Sequence, residues 1–544
     1  MTDEALVDRV PRDAAGSREI GFSVPERYNA ASILFDNLER GFGDKVAVYS
    51  DDGNITYRDL ARDACRFGSA LKALGLEPGA RVAMVLDDTA AYPAAVFGAL
   101  AAGFVPVLLN TASPPDLVEY FLDDSRAPVL VIEGSLATLV RDGIGERLAA
   151  LRHVVVVGGD SRGPAGPAWH DFRTLLDAHD DELVPADTGR DDMAFWMYSS
   201  GSTGRPKGIV HLHHDMLYTH LAYGRGVLDI GPGDVCFSPP KIFFAYGFGN
   251  SVTFPFAAGA ASVLMAGRPT AEAVFDAVER HRPTLFFGLP TLYNALINSD
   301  RAAAGSLDSV RLCLSAAETL PAELAARWRE RFGHAIVEGL GSTEVLHIYL
   351  SNRPGDIRTG AAGRRVPGYE LRLVDDEERE VRDGEAGTLW VRGDSQTPGY
   401  WNKPDKTAET LHDGWIVTGD RFKRDADGFH YFLGRADDLV KVSGQWVYPL
   451  EVEHCLADHE AVRECAVLAV RLDDGRTTLK AFVVLNEPAE AGDAMTERPA
   501  GYVKRALLPY KYPRIVEYVE QLPKTGTGKI DRQALAGREG RGPG

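Results

Sequence analysis

Tyr198-Ser199-Ser200-Gly201-Ser202-Thr203-Gly204-Arg205-Pro206-Lys207-Gly208 is a hydroxyl- and glycine-rich stretch between two apolar runs. Met193, Ala194, Phe195, Trp196 and Met197 precede it, and Ile209 and Val210 follow. The pattern predicts strand, tight loop, strand. Glycine permits close backbone approach and positive φ. Backbone N–H groups, the hydroxyls of Ser199, Ser200, Ser202 and Thr203, and the Lys207 ammonium can therefore converge on phosphate oxygens. It is not a Walker A loop, which needs G-x-x-x-x-G-K-[ST] opening a helix. A solvated glycine-rich turn fits the same residues, and the loop alone does not decide between the two.

Working outward, 544 residues exceed the ~250–300 at which a single core stops growing, so more than one folding unit is expected. A hydrophobic content of 45% and a charged content of 25% describe an ordinary globular protein. The net charge of -19 argues against a general nucleic-acid binder while leaving room for local phosphate sites. Cys65, Cys236, Cys313, Cys455 and Cys465 form no CxxC pair, which predicts a reducing, cytoplasmic setting. Asp3, Glu4, Asp8, Arg9, Arg12 and Asp13 precede any apolar run, unlike a signal peptide. The charge-free stretch Ala90 to Asn110 is about as long as a membrane span, but Pro93, Gly98, Gly103 and Pro106 interrupt it. It reads as a buried helix ending near Gly103 and a core strand through Val105–Leu109, with no membrane partner.

From Ala47 onward strand and helix alternate. Val46–Tyr49 reads as a strand, Thr56 as the N-cap of a helix through Leu74, and Arg81–Leu86, Val129–Ile132 and Val154–Val157 as further strands. Repeated β-then-α units imply parallel sheets covered by helices. In Ser238–Asn250, aromatic residues between glycines suit either an apolar pocket wall or plain core packing. Phe286–Pro290 and Leu314–Glu318 each read as a strand end and a turn, where ligands of parallel sheets commonly sit.

Gly339-Leu340-Gly341-Ser342-Thr343-Glu344 sets a carboxylate beside hydroxyls after two glycines, which suits a magnesium ion on nucleotide phosphates. Thr418-Gly419-Asp420 follows the run Trp415–Val417, and an aspartate at a strand end can accept from ribose hydroxyls. A boundary is expected near Gly434–Asp438, before a segment with its own strands and helix. Pro523-Lys524-Thr525-Gly526-Thr527-Gly528-Lys529 puts a lysine among glycines, where it can reach another domain's cleft or be a plain surface lysine. His211-Leu212-His213-His214-Asp215 could suggest a metal site, but the adjacent His213 and His214 must diverge, which counts against it.

In this order, Ser199–Lys207, Gly339–Glu344, Thr418–Asp420, Gly434–Gly444 and Pro523–Lys529 resemble the adenylate-forming superfamily of acyl-CoA synthetases, adenylation domains and luciferases. The resemblance runs over about residues 25–535. It implies an α/β fold: a large N-terminal domain of helix-covered sheets and a smaller mobile α+β C-terminal domain. The expected division is a polar extension 1–21, an AMP- and acyl-binding domain 22–434, a hinge 435–438 and a mobile domain 439–544. Tyr198–Lys207, Lys241–Asn250, Val345–Asn352 and Pro509–Arg514 resemble the benzoate-CoA ligase branch more closely.

The resemblance implies ATP, Mg2+ and coenzyme A as partners of a small aromatic carboxylic acid. Ser199, Ser200, Gly201, Ser202, Thr203, Gly204 and Lys207 would hold the outer phosphates. Ala316, Ala317, Glu318 and Gly339 would flank the adenine, Leu340, Gly341, Ser342 and Phe432 would also bind the nucleotide, and Asp420 and Arg435 would hold the ribose. Catalysis would fall to Lys529, Thr343 and the magnesium ligand Glu344. Ala245, Tyr246, Phe254, Gly341 and His347 would line the aryl slot, while Asp437, Lys441, Ser443 and Gly444 would serve the hinge and thiol channel. The branch usually carries Ser-Ala-Gly-Glu where this chain has Ser315-Ala316-Ala317-Glu318, so the methyl of Ala317 narrows the slot near the ring or the base. A carrier-protein acceptor is the main alternative to CoA, a non-catalytic nucleotide-binding protein is a remote one, and a homodimer is compatible with the resemblance.

Overall fold

Alternation of short apolar runs with amphipathic helices builds two largely parallel sheets. The computed structural model describes residues 24–141, 148–199, 205–303, 305–436, 440–442, 445–457, 459, 461–472, 477–486, 503, 507, 511–524 and 530–538. Ser200, Gly201, Ser202, Thr203, Gly204, Asp437, Ser443, Gly444 and Lys529 lie outside them, as do 1–21, and Lys441 is described by its backbone alone.

Counted over the described residues, the first sheet has seven strands. Their order is Ala168–Asp171, His153–Val157, Val129–Glu133, Arg81–Val85, Val105–Leu108, Met193–Ser199, Lys207–Leu212. Its pairs are parallel except the last, which returns antiparallel and sets Ser199 opposite Lys207. The residues on either side of 200–204 are therefore antiparallel strands at the sheet's edge. The second sheet runs Arg364–Arg365, Ile348–Ser351, Ile336–Gly341, Leu312–Ser315, Leu285–Gly288, Val235–Phe237, Ala261–Val263, Val46–Tyr49, Ile55–Thr56. Its strands from Val46–Tyr49 to Ile336–Gly341 pair in parallel, and two of them, Leu285–Gly288 and Ala261–Val263, are buried along their whole length. Burial on both faces is why they read as unbroken apolar runs.

The helix Tyr57–Ala73 is capped by Thr56, whose side chain accepts from the Asp59 N–H. It crosses the helix Ala91–Ala101 at paired glycines: a Cβ on Gly98 would stand 2.4 Å from the Ala64 carbonyl oxygen, and one on Gly68 2.7 Å from that of Gly98. Close crossing buries Tyr92 to Ala101 throughout. No described helix is long and apolar enough to cross a membrane.

A third, antiparallel sheet joins Glu370–Val374, Ala386–Arg392, Trp415–Arg424, Leu411–His412 and, on Trp415–Arg424, His430–Arg435. Here one expectation is corrected. Asp420 lies within the ten-residue strand Trp415–Arg424, not at a strand end. Beyond Arg435 come the hairpin Val440–Val442 with Gln445–Val447, the helix Pro449–Ala457, and a sheet of Val462–Arg471, Thr477–Leu485 and Ile515–Tyr518. This segment has its own core, including Val442, Val452, Val467, Leu479 and Val483. Inside it Glu453 accepts from both Arg532 Nη atoms at 2.6 Å and from the Val467 N–H. The architecture is a large N-terminal α/β domain with a smaller C-terminal one.

Candidate active site

The carboxyl ends of the second sheet and the edge of the third converge beside the strand Lys207–Leu212. Glu344 lies in a 3-10 turn, Thr343–Val345, between the antiparallel strands Ile336–Gly341 and Ile348–Ser351. Gly341 is required by that turn-back, since a Cβ there would stand 2.4 Å from the His347 carbonyl oxygen. Glu344 Oε1 accepts from the Tyr400 hydroxyl at 2.9 Å, and the Tyr400 ring carries the Lys207 ammonium 4.1 Å from its centroid. Burial holds the Lys207 amine below its ordinary range, opposed by the Glu344 carboxylate. One tyrosine thus orients a carboxylate and an ammonium that the chain separates by more than a hundred residues. Hard carboxylate oxygens beside hydroxyls suit a magnesium ion.

Asp420 and Arg435 face each other in register across the third sheet, with Arg435 Nη1 3.2 Å from Asp420 Oδ1. Phe432, on the same strand as Arg435, packs against Phe422 with ring centroids 5.2 Å apart. Ala316 is buried at the end of Leu312–Ser315, while Ala317 is exposed in the left-handed region at φ 70°. An alanine there costs on the order of 1–2 kcal/mol relative to a right-handed conformation. Ser315 and Gly339 sit on neighbouring parallel strands, and a Cβ on Gly339 would crowd Ile348 at 3.0 Å. Leu340 and Ser342 complete this rim.

Glu338, one residue before Gly339, turns inward, and its Oε1 accepts the Leu320 N–H at 3.0 Å. Burial pushes its carboxyl up to about 8 from 4.5. A raised carboxyl favours the folded chain below its unfolded value, and that contribution is lost as pH climbs through about 8. Glu338→Gln, neutral at every pH, is expected to raise Tm by a few °C at pH 9, on the order of 1–2 kcal/mol, and by nothing at pH 5. Thermal melts at the two pH values check this.

Next to these elements is a box of rings. Phe254 meets His347 edge-on at 4.5 Å, and Tyr223 and Tyr246 flank it at 5.5 and 5.7 Å. Tyr246 in turn stands edge-on to Phe287 at 6.3 Å. Burial pushes His347 down to about 3, so it is a neutral, flat wall. The backbone runs close: a Cβ on Gly249 would fall 2.2 Å from His347 Cδ2. Ala245 is buried at the start of the same helical segment, which passes through a π-helix at Gly249–Thr253. The Ser238–Asn250 stretch packs into the core and also meets the rings. Ile242, Phe243 and Phe248 are core, while Tyr246 faces the rings. Lys241 pins it by binding Asp87 at 2.7 Å and the Met265 carbonyl at 2.8 Å. His347 Nδ1 and Ser251 Oγ are buried with no hydrogen-bond partner among the described residues, and the Tyr246 hydroxyl lies against the Asn250 side chain.

The histidine tract does not form a metal centre. His213 Nδ1 accepts the Ala30 N–H at 3.0 Å, while His211 and His214 face Asp215, and no group of three or more potential ligands occurs among the described residues. The residue that sequence reasoning missed is Tyr400. Its one signal is the Gly399-Tyr400-Trp401 run after a proline, and Trp401 anchors it by packing on Trp196 at 4.5 Å.

A carboxylate, an ammonium, a facing Asp–Arg pair and a cluster of aromatic rings thus come together on this fold. The family model for AMP-binding enzymes matches residues 35–401 and that for the AMP-binding enzyme C-terminal domain matches 451–529, so the chain belongs to the AMP-binding enzyme family. Within it, the chain is similar to the benzoate–CoA ligase of Thauera aromatica, 45% identical over 94% of this chain and 96% of that one. It is also similar to a 4-hydroxybenzoate–CoA/benzoate–CoA ligase of Rhodopseudomonas palustris, 42% identical over 93% and 94%. Among solved structures it resembles the anthranilate CoA ligase AuaEII in complex with anthranoyl-AMP. The TM-score is 0.90, with 38% identity and coverage of 95% of this chain and 98% of that one.

Proposed function

We propose that the chain is an AMP-forming aryl-CoA ligase that activates benzoate or a small substituted benzoate with ATP and transfers it to coenzyme A. The observation that carries this reading is the closed box of Tyr223, Tyr246, Phe254, Phe287 and His347 set beside Glu344, Asp420 and Arg435. In our reading these flat rings and the close backbone at Gly249 would wall a slot that suits one aromatic ring and not an extended acyl chain. The similarity to aryl-CoA ligases over nearly the whole length supports the same class.

The first half-reaction joins a carboxylate to the α-phosphorus of ATP and releases pyrophosphate. An anion must approach a polyanion, so the site's task is to supply cations and oriented donors. In our reading Ser199 to Gly204 and Lys207 grip the departing pyrophosphate, Thr343 donates to the α-phosphate, and Lys529 bridges the carboxylate and the α-phosphate. Glu344, held by Tyr400, would bind magnesium, which when bound neutralises phosphate charge. Asp420 and Arg435 hold the ribose, while Ala316 to Glu318, Gly339 and Phe432 flank the adenine. In the second half the thiol displaces AMP, and the 435–438 hinge exchanges Lys529 for the Lys441–Gly444 segment as the C-terminal domain turns. A domain division near 434 to 439 is supported by the strands that end at Arg435 and resume at Val440. No disulfide joins the described cysteines, which supports a reducing cytoplasm.

The unmet Nδ1 of His347 favours a ring bearing a small polar substituent, since an unmet buried polar atom costs about 1–3 kcal/mol. A panel of benzoate, hydroxybenzoates, aminobenzoates and medium-chain fatty acids, scored by AMP formation with CoA present, tests the reading. Turnover of fatty acids in preference to every benzoate would overturn it. Replacing CoA by a phosphopantetheinylated carrier protein in the same assay tests the acceptor.

A further inference from the structure

The histidines and aspartate that bind no metal are nonetheless bonded in a specific order. His211, fully buried on Lys207–Leu212, stacks on Phe195 at 5.1 Å and 24°. Its Nδ1 is 2.8 Å from Asp215 Oδ2, and its Nε2 is 2.9 Å from the Thr343 carbonyl oxygen. A carbonyl only accepts, so Nε2 donates. Asp215, also fully buried, takes the Leu212 N–H on the same Oδ2 at 3.0 Å. His214 faces two further carbonyls, Arg190 through Nδ1 at 2.8 Å and Asp394 through Nε2 at 2.6 Å, so it donates from both nitrogens. Its Nε2 is also 3.2 Å from Asp215 Oδ1, an ion-pair contact without hydrogen-bond alignment because that N–H is aimed at Asp394.

One buried carboxylate thus lies between two imidazoles whose outer nitrogens hold the Thr343 and Asp394 carbonyls. Those carbonyls open the two segments that clasp Glu344. The Thr397 N–H donates to the Glu344 carbonyl oxygen at 2.7 Å, Ser395 Oγ to the Val345 carbonyl at 2.9 Å, and the Tyr400 hydroxyl to Glu344 Oε1 at 2.9 Å. A helix cap alone would need Asp215 to take only the Leu212 N–H. Burying a charge between two rings that reach opposite sides of one glutamate is a more demanding arrangement, and groups of this kind orient metal-binding side chains.

We propose that Asp215, His211 and His214 form a positioning network for Glu344, with His211 setting the Thr343–Glu344 turn. This rests on the reading of Glu344 as the magnesium-side carboxylate. The test compares His211→Gln with His211→Asn, because glutamine puts an amide N–H near the former Nε2 and asparagine near the former Nδ1. Both are polar and of modest size. Measured are the affinity for MgATP by calorimetry, kcat and KM of acyl-AMP formation, thioester formation from synthetic acyl-AMP, and Tm.

His211→Asn is expected to weaken MgATP binding and adenylation by about 10–100-fold, and His211→Gln to recover to within about fivefold. Thioester formation stays within about twofold in both, which also reports a folded enzyme. Equal effects of the two substitutions, or parallel loss of both half-reactions with Tm, would overturn the proposal. If neither His211 variant folds, the pair His214→Gln and His214→Asn makes the same comparison on the Asp394 side, and equal effects there overturn the proposal in the same way. Glu344→Gln in parallel separates the two readings. If it leaves MgATP affinity unchanged, the magnesium role of Glu344 fails. If it lowers that affinity while His211→Asn does not, only the network fails.

Discussion

Lys529→Ala is expected to lower acyl-AMP formation by at least ~10²–10³-fold while leaving thioester formation from synthetic acyl-AMP largely intact. The asymmetry follows from charge. In the first half-reaction a carboxylate oxygen and a phosphate oxygen, both negative, must come within bonding distance, and a cation placed between them lowers that barrier most. In the second, a thiol attacks a carbonyl and AMP leaves, and no second anion has to be brought onto the phosphate. Pyrophosphate release reports the first step and thioester appearance the second. Equal falls in both would remove the case for a domain that exchanges Lys529 for a thiol channel between steps.

Glu344→Gln should produce the second largest loss, again ~10²–10³-fold in adenylation, with a raised requirement for magnesium. The substitution keeps the shape of the side chain and an oxygen for the Tyr400 hydroxyl, so the turn Thr343–Val345 should keep its place. What is removed is one negative charge from a site that also holds the Lys207 ammonium. Titrating Mg2+ at saturating ATP checks it. A variant with wild-type magnesium dependence would assign Glu344 to the turn and not to the metal.

What could be read from the sequence divides along physical lines. The strands Met193–Ser199 and Lys207–Leu212 were legible because the apolar runs Met193–Met197 and Ile209–Val210 lie within them. The helix from Thr56 was legible because its cap is local. Asp420 was misplaced because Trp415–Arg424 is half-exposed and shifts register between Arg421 and Phe422, so neither burial nor alternation marks its true length. Tyr400 lies in an irregular segment with no periodicity, and its meaning depends on Glu344 and Lys207, far away in the chain. The tract His211–Asp215 showed its residue types but not its use, since the carbonyls it holds belong to residues 190, 343 and 394. Ala317 gave no sign of its positive φ, because alanine is the wrong residue from which to expect one.

The contact between Gly249 and the His347 ring bears on how this protein can change. With a Cβ at residue 249 placed 2.2 Å from His347, a first substitution at that residue collides with the ring before it gains anything. Shortening one of the rings, His347, Tyr246 or Phe254, opens room at once and leaves the backbone where it is. Substrate range in descendants of this chain should therefore drift through its aromatic side chains, with residue 249 the last to vary and only after His347 has been replaced by something smaller.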